Sequence, residues 1–167
     1  CLLADDTELI KQVRKKASTT KDSVELIKVL SSLGWELGFE DLKEGLQITE
    51  EALRLALKYK DKPMEAKIYD AIGTFYHDMG DAEKAVEFHK KGIQLYLQLP
   101  KSEIGLGNAY LNIARVFVST GDYVTALEYD LAALKLYKAV SYNSGMPKLY
   151  NNIGLVYMLN ENYDSSI

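Results

Sequence analysis

The strongest constraint in this 167-residue sequence is a recurrence. Tyr69, Tyr110 and Tyr150 stand 41 and 40 residues apart, and around each the same steps return: Ile72-Gly73, Ile113-Ala114 and Ile153-Gly154, then Tyr76, Phe117 and Tyr157. Gly80-Asp81 pairs with Gly121-Asp122, Ala85 with Ala126, and Gly92-Ile93 with Ala133-Leu134. One period earlier, Leu30, Leu33-Gly34, Leu37, Gly45 and Ala52-Leu53 fill the same slots around a turn one residue shorter. A beat of this length belongs to stacked units, none of which can bury its apolar face alone. Gly and Ala slots let paired helices approach, and the aromatics fill space between one pair and the next. Glycine at each turn can take the left-handed backbone that ends a helix.

Within a unit the periodicity is helical. Val24, Ile27, Leu30, Leu33 and Leu37 advance by three or four residues, which puts one stripe on one face, and Asp22-Ser23 offers capping oxygens before it. After Gly38-Phe39-Glu40-Asp41 a second helix runs from Leu42 to about Lys60. Pro63 opens the next, where a missing amide hydrogen leaves nothing unsatisfied. The central hairpin, from Tyr69 to Leu95, turns at Met79-Gly80-Asp81 and closes at Pro100. Glu103–Thr120 and Tyr123–Val140 form the third pair, Lys148–Leu159 a further helix, and Tyr163–Ile167 the opening of another. Leu9, Ile10 and Val13 suggest a short leading helix over residues 5–18. No stretch alternates long enough for a strand, so the fold class is all-α. The expected division is a leader over 1–21 and an array over 22–167, in units 22–61, 62–100, 101–142 and 146–167, the last incomplete. Its helix shows an apolar face at Tyr150, Ile153, Tyr157 and Leu159, so either the array continues or a second copy covers that end as a homo-oligomer.

Composition narrows the function. Hydrophobic residues are 47% and charged residues 26%, a globular balance, and a net charge of −4 argues against a nucleic-acid surface. The one dense basic run, Lys11-Arg14-Lys15-Lys16, reads as the solvated face of the leading helix. Cys1 is the only cysteine, so an intrachain disulfide is excluded. Cys1-Leu2-Leu3-Ala4 fits the tail of a secretory signal, an acylated lipoprotein cysteine or a mere boundary, leaving an extracytoplasmic and a cytoplasmic location both open. No segment approaches the ~20 apolar residues of a membrane span. His77 and His89 lie near Asp78, Asp81 and Glu87 without metal-site spacing, and Gly105-Leu106-Gly107 is too short for a nucleotide loop. Neither a nucleophile with its base nor a phosphate loop is present, so the reading is non-catalytic, with no cofactor and no metal. Most of the twelve tyrosines occupy repeat slots and read as packing.

Gly73, Tyr76, Gly80-Asp81, Ala85 and Gly92, repeated over residues 22–167, resemble the tetratricopeptide repeat family. The period of ~40 exceeds that family's usual ~34, which implies longer helices. Thr49, His89 and Asp130 stand where a large aromatic is common, so these slots either weaken packing or turn towards water. The resemblance implies a right-handed superhelix of helix hairpins whose concave face, made by the first helix of each pair, holds a protein or peptide. Carried over slot by slot, that face is Trp35; Lys67, Asp70, Thr74 and His77; Asn108, Leu111 and Arg115; and Lys148, Asn151, Leu155 and Met158. Amides there would bond backbone, and Arg115 or Lys148 would pair a carboxylate. The family's clamp for C-terminal carboxylates needs an asparagine where Leu111 stands. Asp22–Glu36, Glu51–Ala56 and Tyr150–Tyr157 also resemble the N-terminal sensory arrays of Bacteroidetes-type signalling proteins, which precede a membrane helix and a histidine kinase or other output domain. The resemblance implies the input region of a signalling protein; a scaffold whose function is stacking between copies is the alternative.

Overall fold

The computed structural model describes residues 22–164, with side-chain surroundings given as far as Leu159. The leading helix, the basic run and the setting of Cys1 lie outside the described residues. Seven α-helices and one short 3₁₀ turn make up the described chain: α1 (Ser23–Gly38), α2 (Leu42–Tyr59), α3 (Lys62–Asp78), α4 (Ala82–Tyr96), α5 (Glu103–Ser119), α6 (Tyr123–Ala139), the turn Asn143–Gly145 and α7 (Met146–Asp164). One expectation is corrected here. The chain does not break after Leu159, because α7 runs unbroken through Asp164 and takes in Tyr163, where a new helix was expected.

Capping fixes where the helices begin. Asp22, Asp41, Asp61, Asp81 and Asp122 each accept from a backbone N–H two or three residues on, at the N-termini of α1, α2, α3, α4 and α6. Such caps satisfy amide hydrogens that the helix leaves free and contribute about 1 kcal/mol each. The hairpins α3–α4 and α5–α6 turn through Gly80 and Gly121, both at φ 82°, the left-handed backbone that a side chain disfavours.

α1–α2, α3–α4 and α5–α6 are hairpins, and each packs on the next through α2–α3, α4–α5 and α6–α7. The first helices also touch one another, α1 to α3, α3 to α5 and α5 to α7. Among the described residues, the second helices α2, α4 and α6 make no such contacts, nor does α1 reach α7. First helices that meet while second helices splay make an open, curved stack with α1, α3, α5 and α7 on its inner side. The architecture is an α-helical solenoid.

The core is correspondingly divided. Ile27, Leu30, Ala52, Ala56, Ile68 and Ile72 join the first two hairpins; Ile93, Leu106, Ala109 and Ile113 join the second and third. Leu111, Ala133, Tyr137 and Leu149 join the third to α7. Burying each large aliphatic contributes about 2 kcal/mol, so hairpins are held mainly by neighbours.

The repeated aromatics do more than fill the space between pairs, because they close the second and third hairpins on themselves. Phe88 of α4 sits 6.1 Å from Tyr69 and stacks 5.3 Å from Tyr76 of α3. Tyr129 of α6 repeats this with Tyr110 and Phe117 of α5, each at 5.7 Å. The three polar slots do not turn towards water: Thr49, His89 and Asp130 are all buried. Thr49 and His89 each lie over a glycine of the hairpin partner. A Cβ added at Gly34 would stand 2.2 Å from Thr49 Oγ1, and one at Gly73 would stand 2.8 Å from the His89 ring. A small residue beneath makes the room that a large polar side chain then occupies.

Candidate functional site

The inner side of the stack carries three hollows that share walls. Between α1 and α3, Ser31, Ser32, Trp35, Glu36, Lys67 and Ala71 enclose about 310 Å³. The central cleft, about 580 Å³, is reached across Trp35, Lys67 and Ala71 and adds Asp70 and Thr74 of α3, Asn108, Asn112 and Arg115 of α5, and Lys148 of α7. Arg115 forms a wall of both the central cleft and the third hollow, about 200 Å³, with His77, Val118, Ser119, Asn152 and Leu155. The three make one groove across α1, α3, α5 and α7.

The sequence-derived face is largely assembled. Trp35, Lys67, Asp70, Thr74, Asn108, Arg115 and Lys148 converge on the central cleft, and His77 and Leu155 on the third hollow with Arg115. Asn151 and Met158 are exposed on α7 but line neither. Leu111 is corrected. It is 2% exposed and packs with Ala133, Tyr137 and Leu149, so it belongs to the core between hairpins. The groove-lining residues are instead its neighbour Asn112 and, one period on, Asn152. The signal was available: Asn112 and Asn152 recur at the repeat spacing, and an apolar Leu beside a polar Asn favours the Asn for a wet surface. Tyr96, the last residue of α4, and Ile104, in the first turn of α5, also line the central cleft and were missed.

Several lining groups are held from behind. Asp70 accepts from Asn112 Nδ2 at 2.9 Å and pairs with His89 Nδ1 at 2.6 Å, tying α3, α4 and α5 together and occupying both carboxylate oxygens. Tyr137 Oη donates to Asn108 Oδ1 at 2.5 Å, and burial raises the Tyr137 phenol to about 12. Trp35 packs edge-on against Phe39 and Phe75 at 5.6 and 6.2 Å, leaving 43% of its surface open. Thr74 donates to the Asp70 carbonyl.

The charges are unbalanced. Lys67, Arg115 and Lys148 face the central cleft, and none of them forms an ion pair among the described residues. Burial and then the nearby Arg115 charge lower the Lys148 pKa, while Asp70 acts weakly the other way. Three cations sharing a cleft with one carboxylate, Asp70, whose two oxygens are already engaged by His89 and Asn112, leave a place where an anion is stabilised. Among the described residues no group of three His, Cys, Asp or Glu could hold a metal, and no helix is long and apolar enough to cross a membrane.

A curved stack of helix hairpins with a continuous inner groove defines a helical-repeat solenoid. Residues 66–98 match the tetratricopeptide repeat family. A curated relative, tetratricopeptide repeat protein 29 of Trypanosoma brucei brucei, is 35% identical over 66 residues, which span 40% of this chain and 14% of that protein. Three solved structures share the fold over 96% of this chain. BtubC from P. vanneervenii has a TM-score of 0.81 at 15% identity over 68% of its chain. Apo RapI has 0.80 at 16% over 46% of its chain. Bacillus thuringiensis PlcR, solved with the peptide PapR7 and DNA, has 0.79 at 14% over 60%.

Proposed function

We propose that this chain is a non-catalytic recognition module whose inner groove binds an extended peptide or protein segment carrying an acidic side chain. The observation that carries the reading is the excess of positive charge in the central cleft, where Lys67, Arg115 and Lys148 face a single carboxylate, Asp70, and none of the three forms an ion pair among the described residues. A carboxylate there would relieve their mutual repulsion and gain charge-assisted hydrogen bonds. Asn108 and Asn112 supply amides for the backbone of the same segment, and Trp35 with Ala71 and Ile104 offers apolar surface beside them. Neighbouring helices lie roughly 9 Å apart, and an extended chain advances about 3.4 Å per residue. Three such steps across α1, α3, α5 and α7 accommodate about eight residues. The tetratricopeptide repeats support protein or peptide binding, and the resemblance to sensory arrays supports the input region of a larger signalling protein as its setting.

Trp35 is the only tryptophan in the chain and lines two of the hollows, so its emission reports occupancy. Octapeptides with one central Asp or Glu should shift that emission saturably, and neutral counterparts should bind at least tenfold more weakly. Arg115→Glu with Lys148→Glu should weaken the acidic peptides at least tenfold without changing helix content by circular dichroism. Acidic-peptide binding that survives this charge reversal would remove the assignment.

A further inference from the structure

The first hollow, between α1 and α3, differs in chemistry from the rest of the groove. Ser31 and Trp35 stand one turn apart on α1, as do Ser32 and Glu36, so all four share one helix face, and Lys67 and Ala71 make the facing wall on α3. That face of α1 offers two hydroxyls, a carboxylate and an indole. Glu36 is exposed and forms no ion pair among the described residues. Phe39 and Phe75 hold Trp35 edge-on, which fixes the ring while 43% of its surface stays open.

A carboxylate beside an open indole suits a cation. The carboxylate supplies charge, the negative face of the ring adds a second attraction, and the apolar stem of a Lys or Arg can lie along the indole. A space of about 310 Å³ accommodates such a side chain. Lys67 is the one cation lining this hollow, and it borders the central cleft as well. Its flexible four-carbon stem lets the ammonium turn to that side, towards Asp70 and towards a carboxylate bound there.

The groove is therefore dipolar, with Glu36 at its α1 end and Arg115 and Lys148 on α5 and α7. The first helices touch in succession, so two helix steps, roughly 18 Å, separate the first hollow from the Arg115 and Lys148 pair. The screening length is about 8 Å at 0.15 M salt, which shields a cation in the first hollow from those two charges. An extended chain covers the same span in about five residues. We propose that the first hollow is a subsite for a basic side chain, Lys or Arg, about five residues from the acidic side chain of the segment in the groove. The inference rests on the groove reading given above and adds a register and a second charge to it.

The test uses Ala-Ser nonapeptides, acetylated and amidated, each with one Asp. Five residues before or after the Asp stands either Lys or uncharged norleucine, which keeps the stem. Isothermal titration calorimetry in 0.15 M salt should show, in one of the two orders, the Lys peptide binding about fivefold more tightly than its norleucine counterpart. Glu36→Gln should cut that preference below twofold and leave the affinity for the norleucine peptide and the melting temperature as in wild type, since Glu36 is exposed. Lys placed two residues from the Asp should give no gain. Equal binding of the Lys and norleucine peptides overturns the proposal and makes the hollow an apolar notch. A preference that E36Q retains, or that Lys shows at either spacing, also overturns it, as long-range attraction alone. Norleucine-peptide binding that is lost on the double reversal R115E and K148E keeps the groove reading even where the Lys preference fails; if neither peptide binds, both readings fall.

Discussion

Asp130 offers a quantitative test of how this stack handles a polar group in its core. It occupies in α6 the slot held by Thr49 in α2 and His89 in α4. Thr49 donates to the Gly45 carbonyl at 2.8 Å, and His89 pairs with Asp70. In the third hairpin the counterpart of Asp70 is Leu111, which offers no hydrogen bond, and both Asp130 oxygens are buried without a partner. Burial pushes the carboxyl from 3.8 up to about 7. A folded pKa above the unfolded one means that the folded state holds the proton where the unfolded state has lost it. Stability is therefore fully present below about pH 4, declines as pH rises, and levels off above pH 7. A shift of about three pH units at about 1.4 kcal/mol each gives a loss of about 4 kcal/mol. Asp130→Asn removes the charge at nearly constant shape. Urea unfolding followed by circular dichroism at pH 4, 6 and 9 should show the wild type losing about 4 kcal/mol relative to D130N across that range. Parallel curves for the two proteins, or a relative gain for the wild type at high pH, would refute the reasoning.

Three further outcomes follow from the same geometry. Asp70→Ala strips the partners from the buried His89 and from Asn112 and should cost about 3 kcal/mol in urea unfolding, with no comparable loss from Lys67→Ala on the same helix. Gly80→Ala forces a side chain into the left-handed region and should cost about 1 kcal/mol, whereas Lys60→Gly, at φ 57°, should gain up to about 1 kcal/mol by thermal melting. Gly34→Ala places a methyl 2.2 Å from Thr49 Oγ1 and 2.9 Å from the Gly45 carbonyl oxygen. It should cost more than about 2 kcal/mol, and Thr49→Ala should not restore the loss, because the backbone contact remains.

The architecture was legible because a repeat states its helix positions several times over. Local chemistry fixed most ends within a residue or two, through aspartate caps and turn glycines whose effects reach only neighbouring residues. The one clear misjudged boundary, after Leu159, lay where the sequence has neither a glycine turn nor an aspartate cap. The groove was legible as a set of slots, and Trp35, Lys67, Asn108, Arg115 and Lys148 did converge. Leu111 went astray because Asp70, its counterpart, faces two ways. One side of that slot borders the groove and the other meets the next first helix, and a leucine there turns wholly inward.

The sequence alone determined that like hairpins recur, since helix periodicity, capping and small-residue spacing are properties of adjacent residues. Only the tertiary structure decided which polar groups share a space. The Asp70–His89–Asn112 link, the isolation of Asp130 and the unpaired meeting of Arg115 with Lys148 join residues up to 42 positions apart. Their energies depend on burial and on neighbours brought together by stacking, and no local pattern encodes either.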